Sequence, residues 1–135
     1  MDSVVGEFLA ICLGGGLGSM ARAAMSARLT RHMAAANAVF VINASGSFLI
    51  GVALGLALAL PVFNSSAEVA QWFQFFAIGI LGGFTTVSTF ALQLHDLWQH
   101  AKRRAAVAVG LGSVILCPAL AGAGLLLMLL IRGAL

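Results

Sequence analysis

Charge is what this sequence has least of. Only 8% of its 135 residues are charged, seven Lys/Arg against four Asp/Glu. An ordinary soluble domain charges roughly a quarter of its residues, so a chain this poor in charge cannot coat a water-facing surface. Tyrosine is missing altogether, and proline and cysteine occur twice each. Cys12 and Cys117 lie over a hundred residues apart with no partner motif, which excludes a disulfide framework. They read as small apolar packing residues. The sequence also lacks a nucleophile–base pair, a carboxylate dyad and a phosphate loop in context, so it is not read as an enzyme.

Apolar side chains fill the space that charge leaves. They make up 61% of the chain, and the mean hydropathy is +1.08. Three windows, 33–67, 69–94 and 105–131, contain no Asp, Glu, Lys or Arg. Each exceeds the roughly 20 residues that a helix needs to cross a bilayer core. A fourth uncharged run, 8–21, is shorter, but extends to a span if Glu7 and Arg22 lie near its ends and snorkel. The expected fold is an all-α membrane protein, one transmembrane domain over 1–135. Its four helices are expected at about 4–28, 34–60, 67–97 and 102–132. The first is read as a mature helix, because Asp2 and Glu7 and the lack of Lys or Arg do not suit the positive start of a signal peptide.

The connections are short. "SARLTRHMA" (26–34) joins the first two helices and "PVFNSSAE" (61–68) the next two, with Ser65 and Glu68 at capping-box spacing. Asn64-Ser65-Ser66 matches a glycosylation sequon, a triplet too common by chance to carry weight. "HDLWQHAKRR" (95–104) makes the last connection, with Trp98 as an interfacial anchor. Arg22, Arg28, Arg31, Lys102, Arg103 and Arg104 belong to one side of the membrane and Arg132 alone to the other. The positive-inside rule puts the six in the cytoplasm. The basic excess is thus topological, and nucleic acid is not needed to explain it. His95, Asp96 and His100 read as a wetted cluster at a helix end, not as a metal site.

"GGGLGS" (14–19) follows no strand and has no acid about 20 residues on, so a dinucleotide loop is excluded. Gly14 with Gly18, and Gly79 with Gly83, instead form GxxxG pairs that suit close helix packing. Asn43 puts an amide at mid-membrane depth, with Gly46 and Ser47 on the same face. That small, donor-rich stripe fits either interhelical glue or a narrow polar path. "GGFTTVST" (82–89) adds two glycines and four hydroxyls inside an oily stretch. An unwound turn is expected at 82–86, which at membrane depth must be buried in protein or line a cavity. Freed carbonyls would suit a desolvated Na⁺, and the start of the restarted helix an anion.

With "GGGLGSMAR", "NASGSFLIG" and "GGFTTVSTF" at these spacings, the chain resembles the Fluc family of fluoride channels. The resemblance implies an antiparallel dual-topology dimer with a broken third helix and two fluoride pores. It implies a central structural Na⁺ held by the backbone carbonyls of Gly82 and Thr85 from both copies. Asn43 falls on the family's pore asparagine, Phe90 on the second of its pore phenylalanines and Ser113 on a hydroxyl of its polar track. Arg22 falls on the helix-1 arginine and is expected at a vestibule. Val87 stands where the first pore phenylalanine belongs, Gln93 where an acid follows, Val109 at a tyrosine position and Cys117 at a second track hydroxyl.

The expected activity is passive, fluoride-selective export across the cell inner (plasma) membrane. Fluoride holds its water tightly, so a dry pore must offer replacement donors. Asn43, Ser88, Thr89 and Ser113 supply these, and Phe90 can present its positive ring edge. Gly82→Val is expected to fail on backbone angles. Two rivals remain. A non-conducting partner subunit of a heterodimer is suggested by the six-to-one division of basic residues. A small proton-coupled multidrug exporter would need a carboxylate at mid-depth, and the second to fourth helices have none there.

Overall fold

The computed structural model describes residues 2–59 and 72–134, and all regular structure within them is helical. The elements are α1 (Asp2–Leu29), α2 (Ala35–Ala59), the π-helical α3 (Gln74–Leu81), the short α4 (Gly82–Phe84), α5 (Val87–Gln99) and α6 (Arg103–Ala134). Four stretches, 4–29, 35–58, 74–99 and 103–133, are long and apolar enough to cross a membrane; α3, α4 and α5 together make the third. The connection 61–68, with the Ser65–Glu68 capping box, the sequon at Asn64 and the start assigned to the third helix, lies outside the described residues.

Small residues hold the helices together. Lipid is as apolar as leucine, so helices associate in it through close packing and polar contacts. The buried apolar set is accordingly small: Ala36, Ala38, Ala44, Ala53, Ala77 and Ala106 beside a few larger residues, with Ile42 the one large side chain fully enclosed among the described residues. The two GxxxG pairs meet each other. A Cβ on Gly14 would stand 2.6 Å from Phe75 O and 3.1 Å from Gly79 Cα. Gly18 lies against the backbone of Ile80, and Gly83 against that of Gly15. On the other side of the bundle α2 packs on α6, with Gly51 against Ala121 and Gly124 against the Phe48 carbonyl. Arg132, near the end of α6, donates from Nη1 to Leu58 O at 2.8 Å and caps the last turn of α2.

The aromatic residues mark both ends of the third span. Trp72 stacks on Phe76 with ring centroids 5.7 Å apart, and at the basic end Arg103 rides 5.3 Å over Trp98. The α5–α6 turn closes as a Schellman motif: Ala101 N–H donates to Trp98 O and Lys102 N–H to Leu97 O, at 3.2 and 2.9 Å. Its left-handed residue is Ala101, φ 56°, the one positive φ at a non-glycine among the described residues. A Cβ in that region costs roughly 1–2 kcal/mol. Ala101→Gly is therefore expected to stabilise the protein by about 1 kcal/mol. Thermal unfolding in detergent should show a higher midpoint for the glycine variant, and a lower one for Ala101→Val.

Candidate functional site

The third span loses its helical hydrogen bonding at two threonines. Thr85 (φ −82°, ψ 158°) and Thr86 (φ −152°, ψ 128°) are extended, between Phe84 at the end of α4 and Val87 at the start of α5. Gly82, by contrast, is helical at φ −64°, ψ −39°. Gly83 is used for packing, on the backbone of Gly15, while the β-branched threonines fit extended backbone with little loss. This corrects the expectation that Gly82→Val fails on backbone angles. The angles at Gly82 are ordinary, and a Cβ there would approach only Ala77 O, at 3.9 Å.

The N–H groups of Thr85, Thr86 and Thr89 all have partners around the interruption. Thr86 N–H, which a continuous helix would direct at Gly82 O, goes to Asn43 Oδ1 at 2.9 Å. Asn43 Nδ2 returns a bond to Thr86 O, also at 2.9 Å. Thr89 N–H, which would otherwise reach Thr85 O, goes to Thr86 Oγ1 at 3.2 Å, making Thr86 the N-cap of α5. Thr85 N–H and Oγ1 both donate to Leu81 O at 3.0 Å. The helical partners of Gly82 O and Thr85 O have thus been redirected. These are the two oxygens that the Fluc resemblance gives to a cation.

Arg22 is tied to the interruption. Its Nε donates to Gly83 O at 3.1 Å, joined by Ser19 Oγ at 3.4 Å. The interruption leaves a carbonyl at the negative end of α4, and a guanidinium one helix away is the strongest donor available to it. Arg22 is therefore a cap for the interruption as well as a lining residue.

Two cavities meet at Thr86. The first, about 330 Å³, is bordered by Arg22 and Ser26 of α1, by Thr30 just beyond it, by Val39 and Ile42 of α2, and by Thr86 and Thr89. The second, about 560 Å³, lies deeper, between Asn43, Ser47 and Ile50 of α2 and Ser113, Val114 and Cys117 of α6, with Gly82, Thr85, Thr86, Val87 and Phe90 between them. Asn43, Phe90, Ser113, Val87, Gly82 and Thr85 thus share one cavity, whereas Thr89 and Arg22 share the other. Ser88 borders neither; its exposed hydroxyl lies 3.2 Å from Thr86 Oγ1. Ser113 is 8% exposed and its Oγ has no hydrogen-bond partner among the described residues. An unpaired buried hydroxyl costs about 1–3 kcal/mol, so this one is set to bond something that enters. Pro118 lies inside α6 and has no N–H for the carbonyl of Val114, another residue of the deeper wall.

Thr86 falls inside the turn expected at 82–86, and its part in the site goes beyond that expectation. A hydroxyl residue three positions before Thr89 at a helix start is an N-cap signal, but its bonds to Asn43 cross 43 positions and leave no local trace. Ser47, in the sequence a neighbour on the face of Asn43, lines the deeper cavity. Gly46 does not line it; a Cβ there would meet Phe84 Cδ1 at 3.3 Å, so the glycine admits α4 to α2.

Comparison with known proteins shows the family to which these features belong. Residues 9–125 match the family described as CrcB-like protein, Camphor Resistance (CrcB). The chain is 34% identical over 116 residues to fluoride-specific ion channel FluC 3 of Brucella suis, covering 84% of this chain and 85% of that one. It is 37% identical over 121 residues to fluoride-specific ion channel FluC of Paracoccus denitrificans, covering 87% and 90%. With the channel of the same name from Anaeromyxobacter dehalogenans it shares 35% over 129 residues, covering 94% and 98%.

Proposed function

This chain belongs to the CrcB-like family of fluoride-specific ion channels, and from that premise we propose that it carries fluoride passively out of the cell as an antiparallel dual-topology dimer. The family is one of transporters, not enzymes, and the four apolar spans make this a multi-pass membrane protein. The membrane in question is the cell inner membrane, where a passive export path is of use.

One observation carries the proposal most: a buried hydroxyl without a partner among the described residues, Ser113 Oγ, in a cavity shared with the amide of Asn43, the hydroxyl of Ser47 and the ring of Phe90. Fluoride enters past Arg22, whose charge attracts it while the guanidinium stays anchored on Gly83 O. Between the cavities it passes Thr86. One Asn43 N–H is committed to Thr86 O, which leaves the second for the ion. Thr89 Oγ1 accepts from Thr86 Oγ1 and keeps its own proton to donate. Deeper in, Ser113 and the Phe90 edge replace further water. Val87, 81% exposed in the single chain, faces outward where a second copy would pack.

The backbone fits the implied sodium ion. Gly82 O and Thr85 O have lost their helical partners, and carbonyl oxygens that line protein at membrane depth suit a desolvated alkali cation. Two antiparallel copies would supply four such oxygens about the twofold. When bound, the ion adds positive charge that lowers the cost of dehydrating a nearby anion. Exchange of Na⁺ for a large organic cation is expected to reduce the dimer fraction several-fold, measured by cross-linking. Thr85→Ala should keep that Na⁺ dependence, because only its backbone oxygen is used; loss of the dependence in this variant would contradict the assignment.

The division of basic residues, six on one side and one on the other, favours a second reading, in which an oppositely inserted partner chain completes the channel. Reporter fusions at the C-terminus separate the two. Signal on both sides of the membrane supports the homodimer, and signal on one side the paired subunit. In a bacterium deprived of its own fluoride channel, this chain alone should restore growth in fluoride. Failure to do so with protein present in the membrane would exclude a self-sufficient channel.

A further inference from the structure

We propose that the α5–α6 turn binds an anionic phospholipid, with one acyl chain in the groove between the helices and the headgroup phosphate against Lys102 and Arg104. The groove, about 330 Å³, is lined by Leu94, Trp98, Ala106, Val107, Gly110 and Leu111. Gly110 deepens it, since a Cβ there would touch Leu94 at 3.6 Å. Apart from the indole, every lining side chain is hydrocarbon, so the occupant is hydrocarbon as well. None of the six borders either of the cavities assigned to fluoride, and the inference is independent of the channel reading.

The headgroup follows from the charge at the mouth. Lys102, Arg103 and Arg104 are consecutive and exposed where α6 begins. The single acid among residues 72–134 is Asp96, whose Oδ1 lies 3.3 Å from His100 Nδ1, and three consecutive cations outnumber it. Arg103 lies over the Trp98 ring at 5.3 Å, which fixes one cation directly above the apolar groove and leaves its two neighbours free for phosphate. Basic residues next to an apolar cleft at the membrane surface select lipids of net negative charge, and each is worth about fivefold in affinity. A zwitterionic lipid fills the groove equally well but gains little from the charges.

The test uses the full-length chain with Trp72→Phe, which leaves Trp98 as its one indole. In mixed detergent micelles, bromine-labelled phosphatidylglycerol should reach half-maximal quenching of Trp98 at a mole fraction about 25-fold lower than bromine-labelled phosphatidylcholine. Lys102→Gln with Arg104→Gln, which keeps Arg103 on the ring, should shrink that preference to less than about twofold. Gly110→Leu, which fills the groove, should weaken it as well. Native mass spectrometry of the unaltered protein should show phosphatidylglycerol retained and phosphatidylcholine lost. Equal quenching by the two lipids, an undiminished preference in the double variant, or protection of Trp98 from both lipids by a second copy of the chain would each overturn the proposal.

Discussion

Asn43→Leu is expected to lower fluoride efflux by about 100-fold or more. The substitution keeps most of the volume and removes the acceptor for Thr86 N–H and the donor to Thr86 O, both at 2.9 Å. Two backbone groups at membrane depth then lack partners, at roughly 1–3 kcal/mol each, and the interruption no longer has a fixed geometry. A barrier higher by about 3 kcal/mol slows passage by more than 100-fold. Because Asn43 is the dock of the interruption as well as a lining residue, the variant is also expected to be less stable, by about 1–3 kcal/mol. Efflux per folded dimer separates the two effects. Normal flux from folded Asn43→Leu would remove Asn43 from the pathway, and normal stability would contradict its role as dock.

Gly18→Val should have the largest effect on folding. A Cβ at Gly18 would stand 2.8 Å from Ile80 C and 2.9 Å from Phe84 N, with the Ile80 carbonyl oxygen nearer still. All three are backbone atoms and cannot turn aside as a side chain can. Separating α1 from α3 and α4 to admit the valine would also pull Arg22 and Ser19 from Gly83 O. The expected cost is at or beyond the upper end of the roughly 1–3 kcal/mol for overpacking. Intrinsic propensity works the other way, since valine is a better helix former than glycine, so a loss would be due to packing. Gly16, on the far side of α1, has nothing within 4 Å of its Cβ position. Gly16→Val is accordingly expected to fold normally. Size-exclusion chromatography after extraction should show a folded peak for Gly16→Val and aggregate for Gly18→Val.

The four spans are legible in the sequence because a bilayer leaves so little choice. Uncharged runs of more than about 20 residues have few other uses, and the Arg and Lys of the 26–34 and 95–104 connections mark where they end. The region 82–86 attracts attention because glycine and threonine are poor at continuing a helix. Residue type alone points to the glycines and the threonines together, and the extended residues are Thr85 and Thr86. What decides between them is tertiary: Gly83 is pinned against Gly15, and Asn43 takes up the peptide groups of Thr86. Arg22 shows the same limit. Its distance from the end of the first helix suggests snorkelling, but its partner lies 61 positions away and is a carbonyl that exists as a free acceptor only because α4 ends there. The π-helical winding of Gln74–Leu81 has no local signature in a run of apolar residues.

This chain alone is expected to form a complete path for fluoride. Fluoride efflux from liposomes that contain the purified chain and no other protein tests it most directly, with a fluoride electrode outside and Na⁺ present. The vesicles should empty of fluoride rapidly once the membrane potential is relieved by a potassium ionophore, while parallel vesicles loaded with chloride keep their contents. Retention of fluoride by vesicles carrying folded protein, or equal loss of chloride, would contradict the account.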